Sequence, residues 1–357
     1  MSSLFDPVRI GALELPNRII MAPLTRMRAF DRRAPGTLTA DYYVQRASAG
    51  LIISEATSIS PQGVGYPNTP GIWSGFQVES WARVTEAVHR AGGRIVSQLW
   101  HVGRISDPVY LNGDLPVAPS AIAPDGHVTM IRPMKPWVVP RALETDEIPR
   151  IVEDYRTAAA NAMRAGFDGV ELHAANGYLL DQFLHDGSNK RTDRYGGPIA
   201  NRSRFLLDAV DALLTVWPAD RIGVHLNLMS SEYSMSDSNP RALYVYVADQ
   251  LNKRQLAFIF GRERLDDATR LIGPLVRRKF KGAYVVNDRL TRESAERAIA
   301  DGYADAAAFG QLYIANPDLV ERLRINAPLN PVNTETIYSN DGVGYNDYPA
   351  LEMESHP

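Results

Sequence analysis

Short runs of apolar, largely β-branched residues recur along this chain. Between them lie longer stretches in which apolar positions return with helical spacing. Eight runs read as strands: Arg18–Leu24, Leu51–Ala56, Arg94–Trp100, Gly169–His173, Ile222–Leu226, Ala257–Phe260, Ala283–Val286 and Ala306–Phe309. They are continuously apolar rather than alternating, which is the pattern of parallel strands covered on both faces. Val78–Ala91, Ile148–Ala165, Ser203–Val216 and Arg292–Ala300 read as amphipathic helices. In the second, Ile148, Ile151, Val152, Tyr155, Ala158, Ala159 and Ala162 form one helical stripe. Gly92-Gly93 and Gly166 stop their helices and return the chain to the next strand. Such alternation predicts a parallel sheet with helices outside it. Eight units favour a closed (β/α)8 TIM barrel over an open doubly wound sheet, and the G-x-G-x-x-G fingerprint of the open dinucleotide fold is missing.

Two segments stand outside the repeat. Residues 5–17 read as a β-hairpin able to plug the barrel floor. Residues 102–146, rich in proline, form a long insertion after the third strand, of the kind that serves as a lid or pocket wall. With 357 residues, 45% of them hydrophobic, one elaborated barrel domain spanning 1–357 is expected. A net charge of −3 without long single-sign runs argues against nucleic-acid and membrane-surface partners. The chain has no cysteine, which excludes thiolate chemistry, iron–sulfur clusters and Cys-ligated zinc, and no metal site is expected. The first residues lack a signal-peptide pattern and no apolar run is long enough to span a bilayer, so a cytoplasmic protein is expected. Its partner would be a small-molecule substrate, with assembly into a homo-oligomer left open.

Catalytic groups of such barrels sit at the carboxyl ends of the strands. After the fourth strand the chain reads His173-Ala-Ala-Asn176-Gly-Tyr178. His173 and Asn176 can both donate to one carbonyl oxygen, and the Tyr178 phenol can deliver a proton nearby. Two donors on a carbonyl stabilise the enolate that forms when an enone accepts a nucleophile. The same residues could instead tie down a loop.

The segment HAANGYLLDQFL, followed by NKRTDRYGGPIANRSRF, is similar to the signature of the old yellow enzymes, which are flavin-dependent ene reductases. So are residues 17–29, 54–73, 92–106, 309–323 and 342–349. The resemblance covers nearly the whole chain and extends to N-ethylmaleimide reductase-like members. It implies FMN across the strand ends, with NADPH or NADH and then an activated alkene stacking on it in turn. It further implies that Thr25 meets the flavin edge, that Ala56 and Gln98 contact the ring, and that Tyr66 and Trp100, with Thr25, line the substrate pocket. His173 and Asn176 would hold the substrate oxygen and Tyr178 would act as proton donor. Without the resemblance, Trp100 could equally be a core residue of the barrel.

The pattern breaks at the cofactor anchors. Where the resemblance implies an arginine near the ring, the chain has His225; where it implies an arginine on the phosphate, it has Gln311. The turn after the seventh strand places Asp288 where a glycine is expected, beside Arg289. A charge-assisted hydrogen bond contributes about 1.5–3 kcal/mol, so losing two weakens binding by ~10² to 10⁴. Arg289 could offset part of this, although Asp288 is placed to pair with it.

These departures favour a flavin-free enzyme on an old yellow enzyme scaffold. It would carry out isomerisation, cyclisation or pericyclic closure of an α,β-unsaturated carbonyl, with no cofactor. His225 would then be a new general base, oriented by Asp288 or Asn227, or else a structural histidine. The first alternative is an FMN-dependent NAD(P)H ene reductase, an oxidoreductase with weakened cofactor affinity. The second is a catalytically silent binding protein.

Overall fold

Eight parallel strands close into a single barrel in the computed structural model, which describes residues 2–229, 232–266 and 271–351. An antiparallel hairpin, β1 (Val8–Ile10) and β2 (Leu13–Leu15), precedes it. The barrel strands are β3 (Ile19–Met21), β4 (Leu51–Ile53), β6 (Ile95–Trp100), β9 (Gly169–Ala174), β10 (Ile222–Asn227), β11 (Phe258–Arg262), β12 (Ala283–Asn287) and β13 (Ala306–Phe309). Sequential neighbours pair in parallel all the way round, and β13 returns to β3. A short strand β5 (Thr57–Ser58) extends the β6 edge, and β7 (Val117–Ala118) pairs with β8 (Arg141–Ala142) inside the long insertion.

Alternation along the strands sorts the side chains. Ile19, Ile52, Ile95, Leu172, Val224 and Ile259 join the large core between sheet and helices, whereas Ile20, Leu51, Ile53, Val96 and Phe258 point into the barrel. The hairpin's Ile10, Leu13 and Leu15 pack on this inner cluster and close the floor, as the sequence predicts. Gly11 makes the hairpin turn at φ +57°, and a Cβ there would lie 2.0 Å from the Asp220 carbonyl, so the close approach requires glycine.

The expected helices form at Gly75–Arg90, Ile148–Arg164, Arg204–Leu214 and Arg292–Ala300. The first begins three residues earlier than its apolar stripe because Ser74 and Gln77 form a reciprocal capping box. Two strand boundaries move in ways that matter for the site. Residues 22–24 leave the sheet, and they line a cavity at the mouth. At the other boundary, β11 runs on through Gly261 to Arg262. A side chain at 261 would collide with the Tyr284 hydroxyl at 2.2 Å, so glycine lets the strand continue past a neighbouring tyrosine.

Residues of the insertion cover the mouth. Val128 and Trp137 pack with Tyr66 and Trp100 in one cluster, against which Tyr110, Tyr178 and Tyr233 lean. Among the described residues no helix is long and apolar enough to cross a membrane.

Candidate active site

The floor of the site is a row of inward-facing residues on adjacent strands. Gln98 on β6 is in register with Glu171 on β9, and His173 is in register with His225 on β10. The two imidazoles stack at 5.1 Å with a 15° interplanar angle, and His173 in turn stacks on Trp100 at 6.3 Å. Burial holds both rings neutral: it drives His173 down to about 3, assisted by the Arg262 charge, and His225 well below its ordinary value.

The Gln98 Nε2 atom donates to Glu171 Oε1 at 2.7 Å and approaches His225 Nδ1 at 3.2 Å. An amide nitrogen only donates, so Nδ1 is the acceptor and the neutral ring carries its proton on Nε2. That Nε2 is buried and, among the described residues, has no protein partner. Glu171, fully buried, is pushed up to about 8 by desolvation and is therefore uncharged near neutral pH.

The strand end continues into a loop that carries the other chemistry. Asn176 adopts φ +57°, which turns the chain back so that Tyr178 stands edge-on to both His173 and Trp100, each at 4.9 Å. The Tyr178 hydroxyl is 3.0 Å from that of Tyr66, which is 3.1 Å from that of Tyr233. Burial raises the Tyr178 and Tyr66 phenols well above their ordinary value, so both remain protonated. Tyr66 also stacks on Trp100 at 5.4 Å. Trp100 is fully buried in the cluster at the mouth. Thr25 follows Leu24, and the next backbone N–H, of Arg26, donates to Glu55 immediately before Ala56. That contact ties the Thr25 and Ala56 segments together at the mouth.

A cavity of about 650 Å³ opens beside this row, bounded by His225, Asn176, Phe260, Leu24 and the ends of β11, β12 and β13. Gln311 lines it at the start of a one-turn helix, and Asp288 and Arg289 form its rim. Asp288 has φ +114° and Arg289 φ +49°, so the turn does adopt the backbone expected of a glycine position. Asp288 does not pair with Arg289 as the sequence suggests. It faces Arg262, 3.9 Å away. Nor do Asp288 or Asn227 orient His225: Asn227 donates to Asn176 and Glu232, and His225 contacts Gln98.

Arg262 is the residue that the sequence reading missed. Its guanidinium bonds Glu232 and the Asn176 side chain, each at 2.8 Å, and it lines the cavity. The strand prediction ended at Phe260; the Gly-Arg pair after it was the available signal.

The residues present fit FMN. The cavity has room for it, and the orphaned His225 Nε2–H calls for a ligand acceptor, since an unmet buried donor costs about 1–3 kcal/mol. Two guanidiniums, Arg262 and Arg289, face the same space. Guanidinium donors absent at 225 and 311 are therefore present at 262, where Glu232 is the ion-pair partner, and at 289.

The model of the NADH:flavin oxidoreductase / NADH oxidase family matches residues 3–330. The chain is 43% identical to a putative 12-oxophytodienoate reductase 2 of Oryza sativa subsp. japonica, over 98% of this chain and 94% of the relative. It is 39% identical to 12-oxophytodienoate reductase 2 of Arabidopsis thaliana, over 98% and 96%. Among solved structures, morphinone reductase in complex with tetrahydroNAD superposes with a TM-score of 0.96 at 47% identity over the full length of both chains. The old yellow enzyme homologue from Zymomonas mobilis gives 0.95 at 46%, over 98% of this chain and all of the other.

These matches overturn the expectation of a cofactor-free isomerase or cyclase. Three altered anchors around one ligand looked like its loss because Arg262, which strand pairing brings to the same cavity, was not counted. The relatives over the whole length are reductases, and the structure brings one guanidinium to the cavity, Arg262, that the sequence reading did not count. A role for His225 as a new general base falls with that reading.

Proposed function

The chain belongs to the old yellow enzyme (NADH:flavin oxidoreductase) family, and from that premise we propose that it is an FMN-dependent ene reductase. Its substrate would be an alkene activated by a carbonyl or similar group, with NADPH or NADH as reductant. When bound, FMN supplies the hydride store that no amino-acid side chain provides. Ala56, Gln98 and His225 would hold the ring, Thr25 its edge, and Arg289, Gln311 and the turn at Asp288 the phosphate end.

The observation that supports this most is the edge-on packing of Tyr178 against His173, with Asn176 of the same loop lining the adjoining cavity beside His225. Neutral His173 and the Asn176 amide donate to the substrate oxygen, and such bonds strengthen as that oxygen gains charge. The Tyr178 phenol stays protonated, and once a hydride has been added at the alkene's β-carbon its proton can pass to the α-carbon of the resulting enolate, leaving a phenolate. Tyr66, 3.0 Å from the Tyr178 hydroxyl, can donate to the oxygen left behind. Trp100, Tyr66 and the insertion exclude water around these groups. Retention of activity without FMN, or no FMN-dependent consumption of NADPH or NADH with 2-cyclohexenone, would refute the proposal. The expected result is stoichiometric formation of cyclohexanone.

A further inference from the structure

Resting on that reading, we propose that Arg262 is a positioning residue that fixes the polarity of the Asn176 side chain, so that its N–H face, not its C=O, meets the substrate oxygen. An asparagine amide presents a donor edge and an acceptor edge of nearly the same shape, and a half-turn about its last torsion exchanges them. In an open cavity nothing in Asn176 itself selects one. Its surroundings do. Arg262 Nη1 lies 2.8 Å from Asn176 Oδ1, and a guanidinium can only donate. Asn227 Nδ2 donates to the same oxygen at 3.1 Å. With two donors on Oδ1, Nδ2 is turned the other way, and among the described residues no protein acceptor takes it.

The two donors are themselves held by one carboxylate. Glu232 accepts from Asn227 Nδ2 at 2.8 Å and from Arg262 at 2.8 Å. Asn227 cannot reverse without turning its carbonyl toward Glu232, and its own Oδ1 accepts from the Met229 backbone N–H. Both bonds to Asn176 therefore run in one direction, from donor-only Arg262 and anchored Asn227 into its Oδ1. Register explains how three strands cooperate: Arg262 is level with Asn227 on β10 and Asn287 on β12, one layer above His225 and Phe260. The site is thereby committed to ligands whose anchoring atom is a hydrogen-bond acceptor, a carbonyl or nitro oxygen rather than an amine.

The test is binding of carbonyl-13C 2-cyclohexenone to FMN-supplemented protein without reductant, read as dissociation constant and as the C=O stretch in difference infrared spectra. Wild type should show a downshifted stretch. Arg262→Met should weaken binding on the order of tenfold and return the stretch toward its free value. Arg262→Lys, still donor-only, should restore most of both. If Arg262→Met does not fold, Asn227→Asp replaces it: an acceptor facing Asn176 Oδ1 favours the reversed amide and should weaken binding similarly. Unchanged affinity and frequency in the Met variant, or in the Asp variant where that one serves, overturn the proposal. FMN affinity is measured in the same proteins, and carbonyl binding is compared at FMN concentrations that saturate each of them. Failure of wild type to bind FMN would count against the ene reductase reading alone, because the carbonyl readout needs no hydride transfer.

Discussion

The side-chain amide of Gln98 lies 3.2 Å from Nδ1 of His225, and that contact defines His225 as a neutral donor in a pocket where the family resemblance implies a cation. A neutral hydrogen bond contributes about 1 kcal/mol and a charged one about 1.5–3. His225→Arg combined with Gln311→Arg should therefore tighten FMN binding by roughly 10-fold or more, measured by fluorescence quenching. Equal affinity in the variant would mean that Arg262 and Arg289 already saturate the cofactor's need for charge.

Asp288 holds φ +114°, a conformation that L side chains rarely adopt and that costs on the order of 1–3 kcal/mol. Asp288→Gly should raise stability by about 1 kcal/mol after the greater flexibility of unfolded glycine is offset. It should also strengthen FMN binding by removing a carboxylate from the cavity rim. Thermal denaturation of the apoprotein reads the first effect alone, and a lower Tm would show that the 3.9 Å approach to Arg262 matters more than the backbone strain.

Tyr178→Phe should cut turnover of 2-cyclohexenone by about 10²-fold, the usual range for losing a general acid. Reduction of the bound flavin by NADPH, followed by stopped-flow absorbance, should be little affected, since no proton from Tyr178 is needed there. Slowing of both half-reactions alike would reassign Tyr178 to the pocket wall.

Glu171 is a carboxyl raised to about 8 from 4.5 by complete burial. The folded protein keeps this proton over a range where the unfolded chain has lost it. The group's contribution to stability is thus full below about pH 4.5 and declines as pH rises through about 8. Glu171→Gln keeps an acceptor for Gln98 and removes the titration, so its Tm advantage over wild type should grow between pH 5 and pH 8 in the apoprotein. Parallel Tm curves for the two proteins across that interval would contradict the assignment.

The barrel was legible because its signals are local and repeated. Continuous apolar runs such as Ile95–Trp100, and stripes such as that from Ile148 to Ala162, each commit a segment to one environment. His173, Asn176 and Tyr178 were legible because they fall within six residues at one strand end. What escaped was relational. Arg262 looks like a surface residue in Phe-Gly-Arg-Glu-Arg, and only strand pairing brings it to Asn176, 86 positions earlier. The partner of Asp288 was misjudged for the same reason: Arg289 is adjacent in sequence, but consecutive positive-φ residues point their side chains apart, and Arg262 comes across from β11. Counting lost arginines at His225 and Gln311 without a means of finding gained ones led to the wrong cofactor expectation.

The most direct test of the account is titration of the purified apoprotein with FMN, followed by flavin fluorescence and visible absorbance. An FMN-dependent ene reductase gives saturable quenching with a dissociation constant in the micromolar range or below, and a yellow protein whose absorbance bleaches with NADPH or NADH under anaerobic conditions and returns on adding 2-cyclohexenone. No quenching at tens of micromolar FMN, or a bound flavin that cyclohexenone cannot reoxidise, would contradict it.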